Sequence, residues 1–135
     1  MKRIKDKIDE INRFLDELKE IFPENYEMYD SDLKTKAACE RYFEKIIESA
    51  VDLAFIFIKI KKLPVPQDDA DSFKILEKNK IIDKELSENL IKAKGMRNII
   101  IHQYGKIDDE LVFDAIENKL EKDISEFVKK IENDK

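Results

Sequence analysis

Val51-Asp52-Leu53-Ala54-Phe55-Ile56-Phe57-Ile58-Lys59-Ile60, VDLAFIFIKI, admits two readings. Short apolar runs rich in β-branched and aromatic residues suit a buried strand, but this one continues a helical pattern without any turn signal before it. Read as helix, it makes the chain all-α. The composition agrees: two glycines and three prolines leave little for hairpins, and 42% charged beside 42% hydrophobic residues is the balance of amphipathic helices. A helix apolar on more than one side either sits centrally in its own bundle or offers a second surface to another chain. Homodimerisation through this region is the expectation.

Working outward, Ala37, Ile46, Ile47, Ala50, Val51, Ala54 and Ile58 carry the same helix from a cap at Asp30 or Ser31 to about Lys62. Before it, Ile4, Ile8, Ile11, Leu15, Leu18 and Ile21 describe an amphipathic helix over residues 2–21, stopped by Pro23, with a loop around Asn25 to Asp30. After it, Pro64 and Pro66 break the chain. A short helix is expected over Asp71 to Lys78, and another begins near Asp83 and ends at Gly105. The last starts at Asp108, Asp109 and Glu110 and uses Leu111, Val112, Ala115, Ile116, Leu120, Ile124, Phe127, Val128 and Ile131 as its apolar positions.

With 135 residues the chain is expected to form one domain, 1–135. Its net charge of −5 gathers no nucleic acid by a general positive field, so such a partner needs a local basic patch. Cys39, the only cysteine, permits neither an internal disulfide nor a cysteine-based zinc cage and reads as packing. The opening MKRIKDKIDE lacks the apolar stretch of a signal peptide, and no run reaches the roughly 20 apolar residues of a membrane span. A cytoplasmic protein without membrane contact is expected.

The remaining special residues gather in Arg97-Asn98-Ile99-Ile100-Ile101-His102-Gln103-Tyr104, RNIIIHQY, which holds the only histidine. On a helix, Arg97 and Tyr104 lie near one side and Asn98 and His102 on an adjoining one, an arc of roughly 160°. A site shared by all four requires the helix to loosen near Gly105 or another chain to contribute. One histidine without neighbouring donors is too little for a metal site, and no phosphate loop or serine or cysteine nucleophile motif is present, so no cofactor is expected. A group that titrates near neutrality beside a forked cation suits cleavage of RNA by its own 2′-hydroxyl. The same residues also suit the capping of a helix end or pairing with acids such as Asp108.

GMRNIIIHQY, with four residues between arginine and histidine and tyrosine two further on, resembles the R-x4-H-x-Y signature of HEPN domains, and more narrowly that of the HepT toxins. The proline loop, SFKILEKNKII and IDDELVFDAIENKLEKDISEF are similar to the same family, so the resemblance covers about residues 62–131. It implies an up-and-down bundle of four to five helices, dimeric, with the motifs of two chains facing one cleft. It further implies a metal-independent endoribonuclease in which His102 is the acid or base, Arg97 the phosphate clamp and Asn98 an orienting group. The implied partner besides RNA is a nucleotidyltransferase antitoxin of the MNT type, which places AMP on Tyr104. Lys92, Lys94 and Lys106 join Arg97 as candidate RNA-binding residues, or simply solvate an exposed face. Two other functions remain open: a non-cleaving module that binds nucleotide or a nucleotidyltransferase, and a structural dimer whose polar motif only holds its interface.

Overall fold

The computed structural model of the chain describes residues 2–102 and 108–134, and among them every regular element is helical. Helix α1, Lys2–Ile21, buries Ile4, Ile8, Ile11, Leu15 and Leu18 of the stripe its spacing predicts, together with Phe14, while Ile21, expected on the same stripe, is exposed at the helix end. The expected loop after Pro23 is instead a six-residue helix, α2, Tyr26–Ser31. The side chain of Asn25 initiates it by accepting from the Met28 amide at 2.9 Å. Because α2 takes up Asp30 and Ser31, the cap of the next helix moves to Asp32, which accepts from the amides of Lys34 and Thr35.

Helix α3, Leu33–Ile60, is the longest element at 28 residues. It stops short of Lys62, whose φ of 58° is left-handed, and the Leu63 amide closes back onto the Ile58 carbonyl at 3.0 Å. VDLAFIFIKI is thus helical. Val51, Leu53, Ala54, Phe57 and Ile58 are buried, Phe55 and Ile56 half-buried, and Ile60 exposed.

Helix α4, Asp69–Lys78, begins two residues earlier than expected because the Asp68 carboxylate caps the Asp71 amide at 2.7 Å. Helix α5, Lys84–His102, is capped by Asp83, which accepts from Leu86 at 2.8 Å. The expected Gly105 terminus lies outside the described residues. The C-terminal helix starts as α6, Asp109–Ala115, with Asp108 as its cap, passes through a π-helical turn over Ile116–Leu120 and continues as α7, Glu121–Asn133. One helix was expected there, and the chain is helical throughout, with one widened turn. The five long helices form the expected bundle. No helix among the described residues is long and apolar enough to cross a membrane.

Helix α3 runs through the centre, packed by α1, α4 and α5, while α2 sits against α3 and α6. Its Cys39, Ile46, Ala50, Leu53 and Ala54 are fully enclosed, so Cys39 is a packing residue whose thiol burial pushes up to about 11. At one end of the bundle Phe22 stacks on Phe113 at 4.9 Å, with Tyr26 and Tyr29 against the same ring. Lys36 ties this end together by donating to Asp109 at 2.9 Å and Asp30 at 3.3 Å. At the other, Phe73 of α4 meets Phe127 of α7 edge-on at 5.8 Å.

Phe127 is fully buried. Truncation to alanine removes its contact with Phe73 and leaves a cavity, so Phe127→Ala is expected to lower stability by about 3–5 kcal/mol. Urea unfolding followed by circular dichroism measures this. A loss below about 1 kcal/mol would contradict the described packing.

Candidate functional site

The orientation of α5 decides where the motif residues go. Leu86 and Leu90 are buried, the Ser87 hydroxyl donates to the Phe73 carbonyl of α4 at 3.4 Å, and Ala93 and Met96 pack against the core. Ile100 is buried on the same line, so the motif segment is held to the bundle by its central isoleucine. Ile99, next to it, stays 42% exposed.

Arg97 reaches the junction of three helices. Its Nη2 lies 3.6 Å from Oε2 of Glu48 on α3, and its Nη1 lies 4.0 Å from Oδ2 of Asp69 at the start of α4. Nη1 also donates to the Asn98 side-chain oxygen, a long 3.4 Å bond. The Nε is buried and finds no hydrogen-bond partner among the described residues. These distances exceed the roughly 2.7–2.9 Å of a tight charge-assisted bond. Both acids are also partly exposed, at 55% and 41%, so each pair contributes about 0–1 kcal/mol. Arg97 is therefore a mostly buried cation held loosely by acids that an incoming anion could replace. Asp108 is not one of its partners, because it is occupied in capping α6.

His102 closes α5 and is exposed. Five residues beyond Arg97, it stands roughly 7.5 Å further along the axis and roughly 140° around it. The structure thus brings Arg97 and Asn98 together but does not bring His102 to the same point within one chain. Lys92 is exposed and Lys94 half-buried. Two positions apart on a helix, they point to nearly opposite sides and form no common patch. Tyr104 and Lys106 lie outside the described residues. Among the described residues no three histidine, cysteine or acidic side chains gather as a metal site.

Glu48 and Asp69 escaped the sequence reading. The available signal was the acidic line Glu44, Glu48 and Asp52 along one side of an otherwise apolar helix half, spaced by four. Nothing in one dimension pairs it with Arg97. On another side of α5 a cavity of about 190 Å³ opens toward the π-helical turn, lined by Phe43, Ile47, Met96, Leu120, Asn89 and Asp123 among others. Asp123 is 9% exposed and accepts from Asn89 at 3.4 Å. Burial pushes its carboxyl above the usual carboxylate range, and the Asn89 bond opposes that rise without cancelling it.

The family described as Ribonuclease HepT-like matches this chain over residues 11–131. The mRNA nuclease HepT of Shewanella oneidensis is 27% identical over 122 residues, 90% of each chain. The tRNA nuclease HepT of Aphanizomenon flos-aquae is 28% identical over 113 residues, 84% of this chain and 77% of that protein. Among solved structures, a tri-AMPylated Shewanella oneidensis HEPN toxin in complex with MNT antitoxin superposes with a TM-score of 0.91 at 27% identity, covering 97% of each chain.

The folded state binds a proton at Asp123 more tightly than the unfolded chain does, so stability is lost as pH rises through the window between the two values. Asp123→Asn removes that loss. Its urea midpoint is expected to exceed the wild type's at pH 7, and the gain to shrink toward about pH 3, below the ordinary aspartate value. A variant less stable than wild type at neutral pH would show that the ionised carboxylate is needed for folding.

Proposed function

The chain belongs to the HepT-like family of HEPN ribonucleases, and from that premise we propose that it is the toxin of a toxin–antitoxin pair, an endoribonuclease working in the cytoplasm. The whole chain, 1–135, acts in this reading as one domain. It cuts RNA without a metal ion or cofactor at a cleft completed by a second copy. Its antitoxin is a nucleotidyltransferase of the MNT type, which silences it by moving AMP onto Tyr104.

The observation that carries this reading is the setting of Arg97, a mostly buried guanidinium whose anionic partners are loose enough to give way to phosphate. Arg97 then stabilises the charge that builds on the phosphate, Asn98 orients the guanidinium through the bond it already makes, and His102 transfers a proton. The angular gap between Arg97 and His102 is the reason for two chains, since a facing copy can offer its own motif to the same phosphate. Exposed Ile99, between Asn98 and Ile100, supplies apolar surface for that contact. The relatives support the chemistry, being named mRNA and tRNA nucleases, and the AMPylated HEPN toxin bound to MNT antitoxin supports the partner. AMP on a tyrosine two residues after His102 would add bulk and negative charge where the substrate phosphate docks. A second reading, a non-cleaving module for nucleotide or for the nucleotidyltransferase, is favoured by the net charge of −5 and by the acids beside Arg97.

Purified, unmodified protein in chelator is expected to cleave RNA and leave 2′,3′-cyclic phosphate ends. His102→Ala and Arg97→Lys are expected to reduce the rate by about 10²-fold or more while eluting as the wild-type dimer. Absence of cleavage by an intact wild-type dimer would favour the binding module. After coexpression with an MNT-type partner and ATP, mass spectrometry is expected to find AMP on Tyr104. An adduct on Tyr26, Tyr29 or Tyr42 would refute that assignment.

A further inference from the structure

The cavity of about 190 Å³ between α3, α5 and the C-terminal helix has a polar end that the packing of the bundle does not account for. Asp123 of α7 lines it at 9% exposure, and the one hydrogen bond its side chain makes among the described residues is the long one from Asn89, onto Oδ1. No lysine or arginine among the described residues pairs with it, and Lys119 on the same helix pairs with Asp114 instead, at 3.8 Å. A buried carboxylate held by a single weak bond is short of donors. We propose that the cavity is a binding site for a guanine base, read by Asp123 and Asn89.

Size and walls decide what enters. Phe43, Ile47, Met96 and Leu120 supply apolar surface suited to the faces of a flat ring. A cavity of roughly 150 Å³ admits benzene, so this one holds a somewhat larger ring system, but it falls short of the roughly 300 Å³ of the smallest sites for drug-sized ligands. The base therefore enters while its sugar and phosphate stay outside. There Lys92 of α5 and Lys119 of the π-helical turn, both lining the cavity and both exposed, offer ammonium groups to a phosphate. The pair of Lys119 with Asp114 is exposed on both sides and exchanges at little cost.

The hydrogen-bonding edge selects guanine. An ionised carboxylate only accepts, and its two oxygens match two neighbouring N–H groups. Guanine presents such a pair, N1–H and N2–H, beside the O6 acceptor. The Asn89 side-chain amide has a second N–H besides the one it gives to Asp123, and that one can serve O6. Adenine and cytosine set one donor beside an acceptor on this edge, and uracil sets one donor between two acceptors, so each leaves an Asp123 oxygen facing a lone pair. The base can belong to a free guanine nucleotide or to a strand of RNA. Only for the second source does the inference rest on the ribonuclease reading.

Isothermal titration calorimetry on the full-length protein tests the site with GMP, IMP, AMP and guanosine. GMP is expected to bind with a Kd below about 1 mM, and AMP and IMP, the latter lacking only the 2-amino group, at least about 10-fold more weakly. Asp123→Asn, expected above to be the more stable protein at neutral pH, should lose a similar factor, and Ala115→Leu, which fills the cavity, should abolish binding. Lys92→Ala combined with Lys119→Ala should weaken GMP and leave guanosine unchanged. Oligouridylates carrying a single guanosine or adenosine separate the sources. Tighter binding and cleavage placed by the guanosine, both lost in Asp123→Asn, would assign the site to RNA. Guanine-independent handling of the oligonucleotides beside selective GMP binding would assign it to the free nucleotide. GMP binding with no cleavage of any RNA would sink the ribonuclease reading and leave this site standing. The proposal is overturned if neither GMP nor the guanosine oligonucleotide binds better than its adenine counterpart, if IMP matches GMP, or if Asp123→Asn binds as wild type does.

Discussion

A helix of 28 residues whose later half is apolar around most of its circumference has to be enclosed from several sides at once there, and α3 imposes that requirement on everything else in the bundle. Helix α1 covers one flank with a regular isoleucine and leucine stripe, while α4 and α5 cover the other. Three polar groups of its middle stretch then meet neighbouring helices. Asp52 meets Lys7 of α1 at 3.5 Å, Ser49 donates to Glu10 of α1, and Glu48 meets Arg97 of α5. The arginine's position at the site is in this sense a by-product of how the central helix is wrapped.

That origin explains the electrostatic character of the site. In an acidic protein a lone cation at a seam collects carboxylates, and here two acids from different helices hold it without closing tightly on it. Pairs this loose contribute little to stability, which in the proposed function leaves the guanidinium's energy to be realised when a stronger anion arrives. A tight bidentate pair in the same place would have opposed the proposed docking of phosphate by several kcal/mol in a partly desolvated setting.

Much of the architecture was legible along the chain and some of it was not, for identifiable reasons. Helix α1 announces itself because six apolar residues at helical spacing leave no other period. VDLAFIFIKI was decidable only through its continuity with what precedes it. Helix α2 was missed because six residues with two tyrosines and a methionine carry no measurable periodicity, and its presence displaced the α3 cap from Asp30 or Ser31 to Asp32. At the site, the spacing of Arg97, Asn98 and His102 carried the family resemblance, and the family match over residues 11–131 agrees with it. Their acidic neighbours were invisible, since Glu48 and Asp69 stand 49 and 28 positions before Arg97 and only the fold brings them there.

The π-helical turn at Ile116–Leu120 alters the phase of the C-terminal helix. Ile116, Leu120 and Ile124 are spaced by four twice over, and in a regular α-helix two such steps would rotate the buried line by roughly 80°. The widened turn absorbs that drift, which lets Phe113 at one end address the α2 aromatics and Phe127 at the other address α4 along one helix. The helix works as a key with two bits cut at a set angle. Removing a single residue inside the turn would leave a regular α-helix with both ends facing as before, whereas removing one from the regular helix on either side would turn one end about 100° away from its lock.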